Sequence, residues 1–185
     1  MENIPSQETN FIDPEEVLNQ INLQLGSIVA DFGCGSGYFV FPIAKRLKED
    51  GKVYALDVLK DKLEAIESQA KLSGLTNIIT KRVNLEKEGG SKLEDASLDW
   101  VVIKDMLFQN QNKEIILNEA KRVLKPEGRM IVIEWGEENG SVGPEVGLRV
   151  AREKLTEMLS GAGLKIVQEI SAGNFHYGLI ASKSL

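Results

Sequence analysis

The sequence has one cysteine, Cys34, and one histidine, His176, in 185 residues. A single thiol excludes an intrachain disulfide framework and any multi-cysteine metal site. Cytosolic residence is therefore the expectation. No apolar run approaches the roughly 20 residues that span a bilayer. The first ten residues are polar and lack the apolar centre of a signal peptide. Positive charge is also in deficit, with 22 Lys and Arg against 28 Asp and Glu, a net charge of -6. That balance disfavours a nucleic-acid backbone or an anionic membrane as the main partner. The 42% hydrophobic and 27% charged residues are ordinary for a globular chain, and the length suits one domain with its own core. Residues 1–12 read as a loose tail and 13–185 as the domain.

What is present alternates. Asp13-Pro14-Glu15-Glu16 reads as a helix start, with Asp13 as N-cap, Pro14 at the first position and Glu16 reaching back as in a capping box. Strands are predicted at Ser27–Phe32, Lys52–Asp57, Asn77–Val83, Leu98–Lys104 and Arg129–Trp135. Helices are predicted at Tyr38–Glu49, Lys60–Ser73, Lys113–Leu124 and Arg149–Ala162. The second of these turns Leu63, Ile66, Ala70 and Leu72 inward. Asn84–Ser97 reads as loop with one helical turn. Strands separated by helices predict an open α/β fold with a mostly parallel sheet and right-handed crossovers. The last two strands, Leu164–Ile170 and Phe175–Ser182, are joined only by Ser171-Ala172-Gly173-Asn174. That connection is too short for a parallel crossover, so the sheet must end in an antiparallel strand.

The first strand runs into Asp31-Phe32-Gly33-Cys34-Gly35-Ser36-Gly37 before a helix. Glycines at alternate positions let backbone approach a ligand, and the helix start offers free N–H groups. The dinucleotide fingerprint Gly-x-Gly-x-x-Gly is absent: its third glycine would fall at Tyr38 or Val40. Asp57, at the end of Val53-Tyr54-Ala55-Leu56, can accept hydrogen bonds from both hydroxyls of a ribose. Cys34 reads as a small residue in a tight turn.

On Val29–Gly37, Val53–Asp57, Leu98-Asp99-Trp100-Val101-Val102 and Glu119–Arg129, the chain resembles the class I S-adenosylmethionine-dependent methyltransferases. It is most similar to the small type related to the ubiquinone/menaquinone-biosynthesis enzymes. The resemblance runs from about Pro14 to Lys183. It implies a seven-stranded sheet of order 3-2-1-4-5-7-6 with strand 7 antiparallel, and S-adenosyl-L-methionine as cofactor. It places Gly33, Gly35 and Gly37 against the methionine part of the cofactor and Asp31 at its ammonium group. Asp57 falls at the ribose, Val58, Asn84 and Leu85 at the adenine, and Lys104 and Asp105 beside the methyl group. Asn84 stands where the family often has Asp; its amide oxygen can still accept from the adenine amino group.

Methyl transfer from a sulfonium needs in-line positioning more than activation, and a general base only where the acceptor must lose a proton. An antiparallel last strand begins at the edge where the parallel strands end, which is where open α/β sheets bind ligands. His176 and Asp105 are therefore the candidate catalytic residues, with Tyr177, Glu134 and Trp135 expected nearby. The Gly136–Gly147 loop and the first helix are expected to form a mobile cover. A small-molecule methyl acceptor is the leading expectation. A protein or RNA acceptor, a non-catalytic cofactor-binding domain and an NAD-dependent oxidoreductase are the alternatives.

Overall fold

The Asp13 carboxylate accepts the Glu15 N–H at 2.8 Å and Pro14 opens helix α1 (Pro14–Asn19), as the N-cap reading requires. The return bond of a capping box is not made: the Glu16 side chain stays exposed, and only its carbonyl is used, by Gln20. This computed structural model describes residues 11–137 and 142–184. The first ten residues of the expected tail lie outside them.

After α1 come β1 (Ile28–Phe32), α2 (Val40–Leu47), β2 (Lys52–Asp57), α3 (Lys60–Leu72), β3 (Ile78–Arg82) and β4 (Leu98–Lys104). Then follow α4 (Lys113–Val123), β5 (Leu124–Trp135), α5 (Arg152–Gly161), β6 (Leu164–Ser171) and β7 (His176–Lys183). The strands form one sheet in the order β3-β2-β1-β4-β5-β7-β6. Pairing is parallel as far as β5, and β7 runs antiparallel to both β5 and β6. The hairpin argument and the implied topology both hold.

Side chains alternate between the two faces of each strand, and this divides the core. Ala30, Phe32, Val101, Ile103, Met130 and Val132 pack against α4 and α5. Val29, Val53, Ala55, Val102, Ile131 and Ile133 pack against α1, α2 and α3.

Several boundaries differ from expectation for local reasons. Helix α2 starts at Val40 because residues 38 and 39 still belong to the glycine turn. Leu72 is 83% exposed; Leu63, Ile66 and Ala70 are spaced i, i+3, i+7, and Leu72 stands two residues on, across the helix. Strand β5 begins at Leu124 and passes through Pro126-Glu127-Gly128 with a register shift opposite Leu98 and Trp100. Helix α5 starts three residues late, after a 3₁₀ turn at Val146–Leu148. The segment after β3 has turns but no helical turn.

That segment is held to α4 by backbone bonds from Ala96 and Ser97 and by a cluster of side chains centred on Glu119 and Arg122. Glu119 on α4 is buried and accepts from the Ser91 N–H at 2.9 Å, from the Ser91 hydroxyl at 2.5 Å and from Arg122. Burial raises its carboxyl, but the Arg122 and Ser91 hydrogen bonds outweigh burial and hold it at about 2, below the ordinary 4.5. We expect Glu119→Ala to lower stability by about 1–3 kcal/mol in urea denaturation, because it leaves the buried Ser91 N–H and hydroxyl without their acceptor, while part-exposed Arg122 keeps Asp95 and the Leu93 carbonyl. In the native chain the stabilisation is complete above pH 4.5 and is lost as pH falls toward 2.

Candidate active site

Strand β1 ends by handing two donors to one acceptor: the Gly33 and Cys34 N–H groups reach the Leu56 carbonyl of β2 at 2.8 and 3.0 Å. The chain then turns through Gly33, Gly35 and Gly37 at φ of 71, 50 and 85°, values that L side chains resist. A side chain at Gly33 would crowd Met106, and one at Gly37 would meet the Phe41 ring at 2.6 Å. A Cβ at Gly35 would meet no protein atom within 4 Å. The backbone there borders free space.

Asp57 ends β2 and bonds both neighbouring turns. Its Oδ2 accepts the Gly35 N–H and its Oδ1 the Leu59 N–H, each at 2.9 Å. Asp57 therefore caps its own turn and also reaches across to β1, and each oxygen keeps capacity for a further donor.

The strand register aligns the other polar residues. Asp31 pairs with Ala55 and Val102, Lys104 with Ile133, and Trp135 with His176. Counting in steps of two, Asp57, Asp31, Lys104, Trp135 and His176 all project from the α1–α3 face, one from each of five adjacent strands. Asp31 is 4% exposed and accepts no hydrogen bond from the described residues. Burial pushes its carboxyl from 3.8 to about 7, against the opposing charge of Lys104 and with a further push from Asp57. The Lys104 ammonium pairs with Asp105 and sits 5.4 Å from the Tyr38 ring centroid.

A cleft of about 340 Å³ opens beside this row and is lined by Gly33, Gly35, Asp57, Val58, Asn84 and Leu85 among others. Of the sequence candidates, Asp31, Gly37 and Lys104 do not line it. Gly37 is filled by Phe41, Lys104 is turned to Asp105, and Asp31 is nearly sealed. Asn84 Oδ1 holds the Glu86 N–H at 3.0 Å. The sequence reading missed Lys62, Met106, Gln109 and Asn110, which line the cleft together with Leu59, Val83 and Glu86. All four follow a strand at its carboxyl end, the one signal that marks them. A larger cleft of about 450 Å³ lies at the opposite sheet edge, by Ser27 and Arg129, the wrong end for a ligand of an open α/β sheet.

His176 and Asp105 come together. Nε2 of His176 is 3.1 and 3.3 Å from the two Asp105 oxygens, and its Nδ1 is buried without a partner. Burial raises the Asp105 carboxyl, but the His176 hydrogen bond and the Lys104 charge outweigh it and leave it below its ordinary value. Asp105 has φ of 51°, a strained value for a non-glycine residue. Trp135 is packed, with the His176 ring centroid at 4.1 Å on one contact and the Arg149 guanidinium at 5.6 Å on another. Tyr177 is a correction to the expected cluster. It lies on the other face and donates its hydroxyl to the Val150 carbonyl at 2.7 Å. Glu134 also faces away. Cys34 is buried, and burial followed by the Asp31 charge raises its thiol far above the reactive range.

Residues 138–141 of the expected cover lie outside the described residues. Its remainder is tied by Arg149, which donates to the Pro144 carbonyl at 2.9 Å, the Val142 carbonyl at 2.5 Å and the Gly136 carbonyl. Helix α1 is tied too. The Gln20 amide donates to the Ser171 carbonyl at 2.9 Å and accepts the Ser171 N–H at 2.8 Å, while Arg46 grips Glu15 and Asn19.

The unpaired Asp31 carboxylate has a thermodynamic signature. A carboxyl whose folded value is raised stabilises the fold in its neutral form, fully below 3.8 and progressively less as pH rises through about 7. Asp31→Asn should therefore raise the Tm of the ligand-free chain near pH 8, and the gain should shrink steadily below pH 7 and vanish only below about 3.8.

Comparison with known proteins agrees with this geometry. A family model described as a methyltransferase domain matches residues 23–163. A demethylmenaquinone methyltransferase of Geobacillus kaustophilus is 29% identical over 120 residues, 65% of this chain and 50% of that protein. The chain spans about half the length of the curated relatives it matches first. A SAM dependent methyltransferase from Aquifex aeolicus superposes with a TM-score of 0.84 at 27% identity, over 92% of this chain and 89% of that one. The [4+2]-cyclase SpnF superposes at 0.77 with 18% identity, over 93% of this chain and 80% of that one, and shares the fold alone. A family match over most of the chain, on a sheet of this order with the glycine turn at its centre, makes the chain a member of the methyltransferase-domain family, of the class I, S-adenosylmethionine-dependent kind.

Proposed function

We propose that the chain transfers a methyl group from S-adenosylmethionine to a small-molecule acceptor by in-line displacement. The observation that carries this reading is Asp31, a buried carboxylate that no protein donor satisfies, next to a glycine turn with free space at Gly35. A carboxylate in that state is complementary to an ammonium group, whose arrival would return its carboxyl toward the ordinary range. The Gly33–Gly37 turn takes the methionine part. Asp57 keeps capacity to accept from the ribose hydroxyls while holding its two N–H groups. Val58 and Leu85 flank the adenine, and Asn84 offers its remaining lone pair to the adenine amino group. Lys104 and Asp105 border the methyl group.

Bound there, the cofactor supplies a methyl carbon on a positively charged sulfur, so its leaving group needs no activation. What the chain adds is position and the exclusion of water. His176 is the proposed proton acceptor for an acceptor that must lose one. With Nε2–H directed at Asp105, the neutral ring leaves Nδ1 as a bare lone pair. The net charge of -6 and the demethylmenaquinone methyltransferase among its relatives support a small-molecule acceptor over RNA. The domain would comprise residues 13–185.

Calorimetry separates the readings. S-adenosylmethionine and S-adenosylhomocysteine should bind and NAD should not; binding of NAD alone overturns the proposal. Asp57→Ala should weaken S-adenosylhomocysteine binding by about 1–3 kcal/mol. With an acceptor found by product mass, His176→Gln should slow transfer about 10²-fold or more at unchanged S-adenosylhomocysteine affinity.

A further inference from the structure

Glu134 is fully buried on the α4–α5 face of β5, two residues beyond Val132 and four beyond Met130, where the strand is otherwise apolar. Its Oε1 accepts the Leu107 N–H at 2.7 Å, and its Oε2 is buried with no partner. A carboxyl so placed costs desolvation that an aliphatic side chain would avoid. The Leu107 bond goes to the segment that forms a wall of the cofactor cleft, and the Met106 and Phe108 N–H groups beside it also favour the charged carboxylate.

That segment leaves β4 abruptly. The Asp105 N–H reaches back to the Ile133 carbonyl at 2.9 Å, the chain reverses at Asp105, and a 3₁₀ turn spans Leu107–Gln109. Met106, on one side of Leu107, sits where a side chain at Gly33 would have to be. Gln109 and Asn110, on the other side, line the cleft. Gln109 donates to the Asp105 carbonyl at 2.9 Å and Asn110 to the Met106 carbonyl at 2.7 Å, bonds internal to the segment. Its far end is held by Glu86 Oε1, which accepts the Gln111 and Asn112 N–H groups at 2.8 and 2.9 Å. Lys113, from the start of α4, reaches the Asn110 carbonyl, and at Leu107 the side-chain anchor from outside the segment, among the described residues, is Glu134.

We infer that Glu134 is a positioning residue for the cofactor cleft: from the opposite face of the sheet, through the Leu107 N–H, it sets the place of Met106, Gln109 and Asn110. Protonation does not remove this role, because a neutral carboxyl keeps an acceptor oxygen. That matters because burial pushes the Glu134 carboxyl up to about 7, with the Leu107 N–H opposing and the Asp105 charge adding to the rise. The other groups around this pocket are the Tyr177 phenol and, beyond it, Glu153, Glu137 and Arg152.

The inference rests on the cofactor reading above, and the test keeps the two apart. In the full chain, Glu134→Gln retains an acceptor and should match the native S-adenosylhomocysteine affinity and the native hydrogen-exchange rate of the Leu107 amide. Glu134→Met keeps similar volume without an acceptor. It should fold at least as stably, yet bind S-adenosylhomocysteine about tenfold or more weakly and exchange the Leu107 amide faster. Stability and affinity moving in opposite directions is the mark of positioning. A Met variant with native affinity and native Leu107 exchange overturns the inference, as does a Gln variant as impaired as the Met variant. Absence of S-adenosylhomocysteine binding in the native chain would count against the cofactor reading, while Leu107 exchange would still decide whether Glu134 holds the wall.

Discussion

The carboxylate of Asp57 joins two turns that would otherwise be independent. One oxygen fixes the Gly35 N–H after β1 and the other fixes the Leu59 N–H at the start of α3. With the Leu56 carbonyl receiving Gly33 and Cys34, the ends of two parallel strands become one rigid corner. Three residues of the glycine turn have no side chain to hold them and take positive φ values, while Cys34 between them is packed in the core. The cleft exists because that corner is stiff and the space beside Gly35 stays open.

A second consequence of a stiff corner is that little motion is needed. Helix α1 is tied to β6 by Gln20 and Ser171, and the loop after β5 is tied by Arg149 to its own carbonyls. Trp135 lies beneath that loop, with Gly143 close enough that any side chain there would strike the indole. The cost of preorganisation falls on Asp31, whose carboxylate is held ready without a counter-ion of its own.

Much of this was legible in the sequence, and the reasons can be traced to residues. Strands β2 and β4 were readable to the residue because apolar runs meet sharp polar ends at Asp57 and Lys104. The antiparallel β7 followed from a four-residue connection. Asp57 and the glycine turn were found because their chemistry depends on residue type and local spacing. Asp105 and His176 could be placed at one edge, but their contact depends on the register of β5 against β7, which spacing does not reveal. Tyr177 was expected beside His176, and the alternation along β7 puts their side chains on opposite faces of the sheet. Met106, Gln109 and Asn110 escaped notice because an irregular turn leaves no periodic trace, and Leu72 because a leucine near a helix end looks like core until its angle is counted.

The row from Asp57 to His176 places one functional side chain at the tip of each of five neighbouring strands. In the proposed function the β2–β1 end of the row would take the methyl donor and the β5–β7 end would face the acceptor. Changes at Trp135 or His176 would then alter the acceptor side while the donor corner and the sheet stay as they are. The fold thus separates what must be inherited from what is free to diverge, and a lineage can alter its choice of acceptor without relearning how to hold the cofactor.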